Sequence, residues 1–235
     1  MTADTRDKLI AWACKYNDPR YFVEDPIAFP KHFAQLYTQG KACLQDIEIA
    51  GLMSAHLAWG RRSMIVRDSK RLFDQMQWQP YRYVMEGDWK NDPTSLHRTI
   101  KWSEIADVCS RLRSIYSQIP SIEPLTIGEI RCDIFGSKQD KNAANKKINM
   151  YRRWMVRKDG KVDLGVWQNS NPADLLIPLD VHVHSQALEL GLTDRRSTDL
   201  RTVMEITEAF REIFPQDPCL GDFALFGHGV SKQEE

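Results

Sequence analysis

The sequence predicts an all-α fold, and three observations carry that prediction. Apolar residues recur at helical spacing through most of the chain. Strand-like alternation is scarce, its best stretch being the short Leu175 to Val183. Turn signals divide the chain at Asp25-Pro26, Gly87 to Pro93, Pro120 to Pro124, Gly136, Gly160, Asn171-Pro172 and Pro215 to Pro218, none of them a long flexible linker.

The elements follow in order. Ile47, Ala50, Leu52, Met53 and Leu57 mark an apolar helix running to Trp59, and Leu72, Phe73 and Met76 mark another after Gly60. Ile105, Val108, Cys109, Leu112, Ile115 and Tyr116 keep the i, i+3, i+4, i+7 rule. Ile148, Met150, Tyr151, Trp154 and Met155 give residues 146–157 one buried stripe, which assigns Trp154 to core packing ahead of base stacking. Val183, Ala187 and Leu190, closed by Gly191, form a helical run for which Asp180 is a natural N-cap. Leu200, Val203, Met204, Ile206, Phe210 and Ile213 form the last, with Ser197 or Thr198 as the expected cap. The tail SKQEE is expected to fray.

Length and composition limit the function classes. A chain of 235 residues accommodates one large domain or two interleaved lobes. No apolar run approaches the roughly 18–20 residues of a membrane span. The charged N-terminus lacks a signal-peptide core, so a cytoplasmic protein is expected. Cys14, Cys43, Cys109, Cys132 and Cys219 are widely spread with no CxxC pair, which argues against a zinc ribbon or a four-cysteine cluster. The net charge is zero, yet residues 131–161 hold ten lysines and arginines against three aspartates, a local +7. That basic stretch is either a solvated helix face or an anion-binding surface.

Two segments carry chemistry. Lys146 and Lys147 open the basic helix, where the positive end of the helix dipole and the neighbouring ammonium both favour a neutral amine. A neutral amine is a nucleophile, although a surface lysine pair is the plainer reading. Asp180, at the start of the later helix, is either a purely structural cap or a carboxylate kept ionised by backbone N–H groups and facing a cleft.

With L-D-V-H-V-H-S-Q-A-L-E-L-G-L at 179–192, K-K-I-N-M-Y-R-R-W-M-V-R at 146–157, P-L-D-V-H-V at 178–183 and D-F-A-L-F-G-H-G at 222–229, the chain resembles the helix-hairpin-helix (HhH-GPD) DNA glycosylase superfamily. It looks closest to archaeal 8-oxoguanine glycosylases and to a bacterial family of glycosylase-like proteins. The resemblance covers roughly residues 45–230 and is most specific in the second half. It implies two interleaved helical lobes with a central cleft, one of about residues 45–145 and one of about 1–44 plus 146–230. Three departures stand out. FGSKQDKNAANKK replaces the usual glycine-rich hairpin, Ser185 stands where an arginine is usual, and C-terminal iron–sulfur cysteines are missing.

The resemblance further implies a bifunctional glycosylase and AP lyase that extrudes a damaged base, an oxidised purine such as 8-oxoguanine, from duplex DNA. Lys146 is then the amine that attacks C1′, with Lys147 the competing nucleophile, and Asp180 the assisting carboxylate. Arg61, Arg62, Lys141, Lys147, Arg152, Arg153 and His182 are the candidate DNA contacts, and Trp59, with Arg61 and Arg62, the candidate wedge. Double-stranded DNA is the expected partner, in the cytoplasm at the nucleoid, with no cofactor, no metal, no membrane and no obligate protein partner. Two rivals stay open. Asp180, His182 and His184 would converge on a metal if the segment were a strand, giving a metal-dependent hydrolase. A non-catalytic DNA-binding protein on the same scaffold is the other.

Overall fold

The computed structural model describes the backbone of residues 1–234 and the side chains of residues 1–229; where the SKQEE tail was expected to fray, helix continues to Glu234, and Glu235 lies outside the described residues. The fold is mostly α. In chain order the helices are α1 (Ala3–Tyr16), α2 (Ala28–Thr38), α3 (Leu44–Leu57), α4 (Arg62–Gln75) and α5 (Pro80–Glu86). A two-stranded antiparallel hairpin, β1 (Ser95–His97) and β2 (Ile100–Lys101), precedes α6 (Trp102–Tyr116) and the single turn α7 (Ile127–Glu129), which runs into a π-helical turn over Ile130–Ile134. Then come α8 (Lys146–Val156), α9 (Val181–Glu189), α10 (Leu200–Arg211) and α11 (Leu220–Glu234).

The hairpin lies at residues 95–101, not at Leu175 to Val183 where alternation suggested a strand. Residues 175–180 are extended but join no sheet, and helix begins at Val181. Their backbone is satisfied instead by side chains: Thr207 Oγ1 accepts from Ile177 N at 3.3 Å. Pro178 also deprives this run of a donor a ladder needs. The α10 cap is Asp199, whose side chain accepts from Thr202 N, in place of Ser197 or Thr198.

The chain forms two compact units, residues 1–21 with 140–235 and residues 22–139. Residues 22–44, expected with the C-terminal half, fall in the second of these. The reason is aromatic packing: α2 places Phe29 and Phe33 against Phe73 of α4, with ring centroids 5.0 and 5.7 Å apart, and against Trp78. Helix α3 is the centre of this unit. Nearly every residue from Ile47 to Leu57 is buried, as expected for a helix apolar all round.

In the discontinuous unit, α1 packs along α11. Leu9, Ala13 and Tyr16 are buried on one side, Phe223, Ala224 and Leu225 on the other. The close approach requires glycine: a Cβ at Gly227 would sit 1.8 Å from the Tyr16 ring, and one at Gly221 would sit 2.2 Å from the Phe210 ring. Trp154 is 1% exposed, in the core as its place in the stripe suggested.

Candidate functional site

Helix α8 starts abruptly. Asn145 is in the left-handed region at φ 49° and offers no side-chain cap, and no acidic residue occupies the first turn. Lys146 and Lys147 therefore stand at a positive helix end with no acidic residue of the helix's own first turn to offset them. The lead into the helix is pinned from α10: Asn142 O accepts from Leu200 N at 2.8 Å, and Ala143 bridges Asp199.

Asp180 arrives at the same place from the extended run, in which Leu175, Ile177 and Leu179 are buried. It caps α9 with one oxygen only. Oδ1 accepts from His182 N at 2.9 Å and Val183 N at 2.8 Å. Oδ2 faces the Lys146 Nζ at 3.3 Å, with the two side chains 35% and 29% exposed. The cap fixes the carboxylate and leaves its second oxygen for the amine. An ion pair this open to water adds little to stability. Lys147, beside it, is half-buried. Burial pushes its ammonium down to about 8, and the Lys146 charge adds to the fall.

Two to three turns further along, α8 and its C-cap carry a buried charge cluster. Arg153 Nη1 donates to Asp222 Oδ2 at 2.5 Å and its Nε lies 3.4 Å from Asp163. Arg157 pairs closely with Asp163, lies 2.9 Å from Asp217 and 3.1 Å from Asp159. Both guanidiniums lie over the Phe223 ring, at 4.6 and 4.7 Å. Burial raises the Asp222 carboxyl to about 6; Arg153 opposes the rise and the Asp180 charge adds to it. That electrostatic link joins the cluster to the exposed pair.

The expected DNA contacts separate. Arg153 is a correction: at 6% exposure, with its guanidinium held by two aspartates, it cannot also reach a phosphate. Arg152, its neighbour, is half-buried with its guanidinium 5.9 Å from the Trp167 ring. Lys141 and His182 are exposed. Arg61 and Arg62 belong to the other unit, where both are exposed at the start of α4 and Arg62 lies 3.9 Å from Asp25. Trp59 is half-buried there, with the Arg98 guanidinium 4.0 Å from its ring and His97 at its edge.

The metal grouping is not assembled. Because helix begins at Val181, Asp180, His182 and His184 do not share a face. His184 is buried and turns its Nε2 to Arg195 O at 2.7 Å. Among the described residues no three His, Cys, Asp or Glu side chains are grouped to hold a metal ion. No helix among them is long and apolar enough to cross a membrane.

Reading the sequence alone passed over Asp222 and Asn149. Both lie inside the quoted motifs, but nothing local marks either as buried. The signal for Asp222 is joint: two arginines spaced i, i+4 on α8 answered by aspartates at 159, 163, 217 and 222.

A family model described as a protein of unknown function, DUF2400, matches residues 25–133 and 129–231. No curated protein and no solved structure matches the chain.

Proposed function

The chain belongs to the DUF2400 family, and from that premise we propose that it is a DNA base-excision glycosylase with AP lyase activity, acting on an oxidised purine such as 8-oxoguanine. The observation that carries the reading is the Lys146–Asp180 pair, an amine and a carboxylate 3.3 Å apart, each at the start of a helix and each about a third exposed. On this reading the all-α fold is that of the helix-hairpin-helix glycosylases, and duplex DNA at the nucleoid is the partner.

The chemistry uses both groups. Nζ of Lys146 attacks C1′ of an extruded nucleotide as the C1′–N bond breaks. The bond pair leaves with the base, which takes up a proton, while Oδ2 of Asp180 accepts the proton that Nζ loses. The cationic character that develops at the sugar lies beside the same carboxylate. Opening of the sugar ring leaves a Schiff base at C1′. Loss of a C2′ proton then breaks the C3′–O bond and nicks the strand. Lys147, depressed to about 8, is the second amine close enough in sequence to compete. Lys141, Arg152, His182, Arg61 and Arg62 are the proposed phosphate contacts.

Borohydride trapping tests this on oligonucleotides carrying 8-oxoguanine, uracil, thymine glycol or an abasic site. A covalent adduct is expected with wild type and with Lys147→Gln, and none with Lys146→Gln. An adduct that persists in Lys146→Gln moves the nucleophile to another amine. Asp180→Asn should slow base release by about 10²-fold or more with duplex affinity nearly unchanged. Wild-type protein that binds duplex yet leaves all four substrates intact would return the non-catalytic DNA-binding reading.

A further inference from the structure

Asn149 occupies the third position after Lys146 on α8 and is 2% exposed. Its Nδ2 donates to Ala144 O at 3.0 Å and lies 3.4 Å from Ile177 O. Ala144 is two residues before Lys146, and Ile177 is three before Asp180. A single side-chain amide therefore ties the segment that delivers the amine to the segment that delivers the carboxylate. Its orientation is fixed by chemistry, since a flipped amide would place Oδ1 against two carbonyl oxygens. Oδ1 itself is sealed from solvent with no hydrogen-bond partner. A buried acceptor left unmade is costly, and buried exceptions of this kind ask for a reason. The two carbonyls that its Nδ2 faces supply one.

We propose that Asn149 is the positioning residue of the site, its amide crosslink between Ala144 and Ile177 setting the separation of Lys146 Nζ from Asp180 Oδ2. The proposal rests on reading Lys146 and Asp180 as the reacting pair. The extended run before Asp180 makes no ladder, and α8 has no side-chain N-cap. Without the crosslink, both segments keep their secondary structure but lose their common register.

Reductive methylation with formaldehyde and cyanoborohydride, read lysine by lysine by mass spectrometry, tests this without any DNA. Exposed Lys141 serves as the internal reference. In the wild-type background, Asp180→Asn should speed methylation of Lys146 by roughly two- to five-fold, the effect of releasing an exposed ion pair. In Asn149→Leu the Lys146 rate should already be raised, and adding Asp180→Asn should change it no further. Lys141 should keep its rate throughout, which calibrates the reagent between variants, and half-buried Lys90, whose ammonium lies over the Trp102 ring, should keep its rate as well, which a general loosening of the fold would not allow. Asn149→Ser, which retains a donor in less volume, gives a smaller shift in the same direction and serves if the leucine variant fails to fold. The proposal is overturned if Asp180→Asn acts as strongly on Lys146 in both backgrounds, or has no effect in wild type. With an abasic duplex, Asn149→Leu should lower the single-turnover trapping rate by about ten-fold and leave KM unchanged. Coupled methylation with no trapping on any oligonucleotide would uphold Asn149 and sink the glycosylase reading.

Discussion

In the unit built around α3, the buried Glu48 carboxylate is met by neutral donors: Tyr116 OH at 3.0 Å, Ser121 Oγ at 2.5 Å and Ile122 N at 3.4 Å. In the unit containing α8, four aspartates gather around the Arg153 and Arg157 guanidiniums. The first arrangement ties α3 to the end of α6 and the turn after it through oriented dipoles. The second depends on pairing: two cations answer four carboxylates, so any change that removes one cation strands at least one anion. The α3 unit also has an intermediate case. Asp68, 1% exposed, takes the His97 ring at 2.8 Å and the exposed Arg67 at 2.8 Å. Burial works to raise that carboxyl, but the bonds from Arg67 and His97 hold it below its ordinary range. His97 turns its other nitrogen to Trp59 O at 2.9 Å, so the buried carboxylate fixes the loop that presents Trp59. The lesson is that a buried acidic side chain is satisfied by oriented dipoles, as at Glu48, by paired cations, as around Arg153 and Arg157, or by a mixture, as at Asp68.

The sharpest break of that contrast is Arg153→Met. It should cost about 3–5 kcal/mol in denaturant unfolding, because Asp222 stays buried without its guanidinium and Asp163 keeps only that of Arg157. Adding Asp222→Asn and Asp163→Asn should return part of that loss, and a cost below about 1 kcal/mol for Arg153→Met alone would contradict the picture of a charge-dependent cluster. On the other side, Glu48→Leu should cost about 1–3 kcal/mol by leaving three buried donors unpaired. Glu48→Gln, which keeps an acceptor, should cost less than half of that if the network works through dipoles; equal losses would show that Glu48 acts through its charge.

A pH titration of stability sharpens the comparison further. Asp222 is raised from 3.8 to about 6 in the folded chain, so the native state binds more protons than the unfolded chain across that window. Its contribution is complete below about pH 4 and is lost as pH rises through about 6, an effect of the order of 1–3 kcal/mol. Unfolding measured from pH 4 to 7 should show that loss in wild type relative to Asp222→Asn, and parallel curves would remove Asp222 as the titrating member. The smallest effect concerns Lys147. With its folded value lowered from 10.5 to about 8, the native state holds fewer protons between those limits and stability rises with pH there. Lys147→Met should flatten that rise, which thermal melts at pH 8 and pH 10 would detect.

Much of this molecule was legible from local pattern. The helices at 47–57, 105–116 and 200–211 follow directly from apolar spacing, because a helix buries one stripe and the stripe is written every three or four residues. Asp180 could be read as a cap and Lys146 as a first-turn residue for the same reason: both are statements about neighbours along the chain. Arg153 could not. Side by side in sequence, Arg152 and Arg153 look alike, and one is half-exposed while the other is buried. Nothing within a turn distinguishes them; the difference comes from Asp163 and from Asp222, 69 residues on. The strand expected near residue 180 fails in the same way, since its carbonyl and amide at Ile177 find Asn149 and Thr207 rather than a neighbouring strand.

The sequence by itself determined the helical class, the Lys146 start of α8 and the Asp180 cap of α9. The tertiary structure decided which charges are buried, which amine faces Asp180 and which amide holds the two together. Backbone preference and apolar period act over a few residues and are visible in any short window. Charge pairing and hydrogen bonding inside a core join groups that only the completed fold brings within 3 Å of one another.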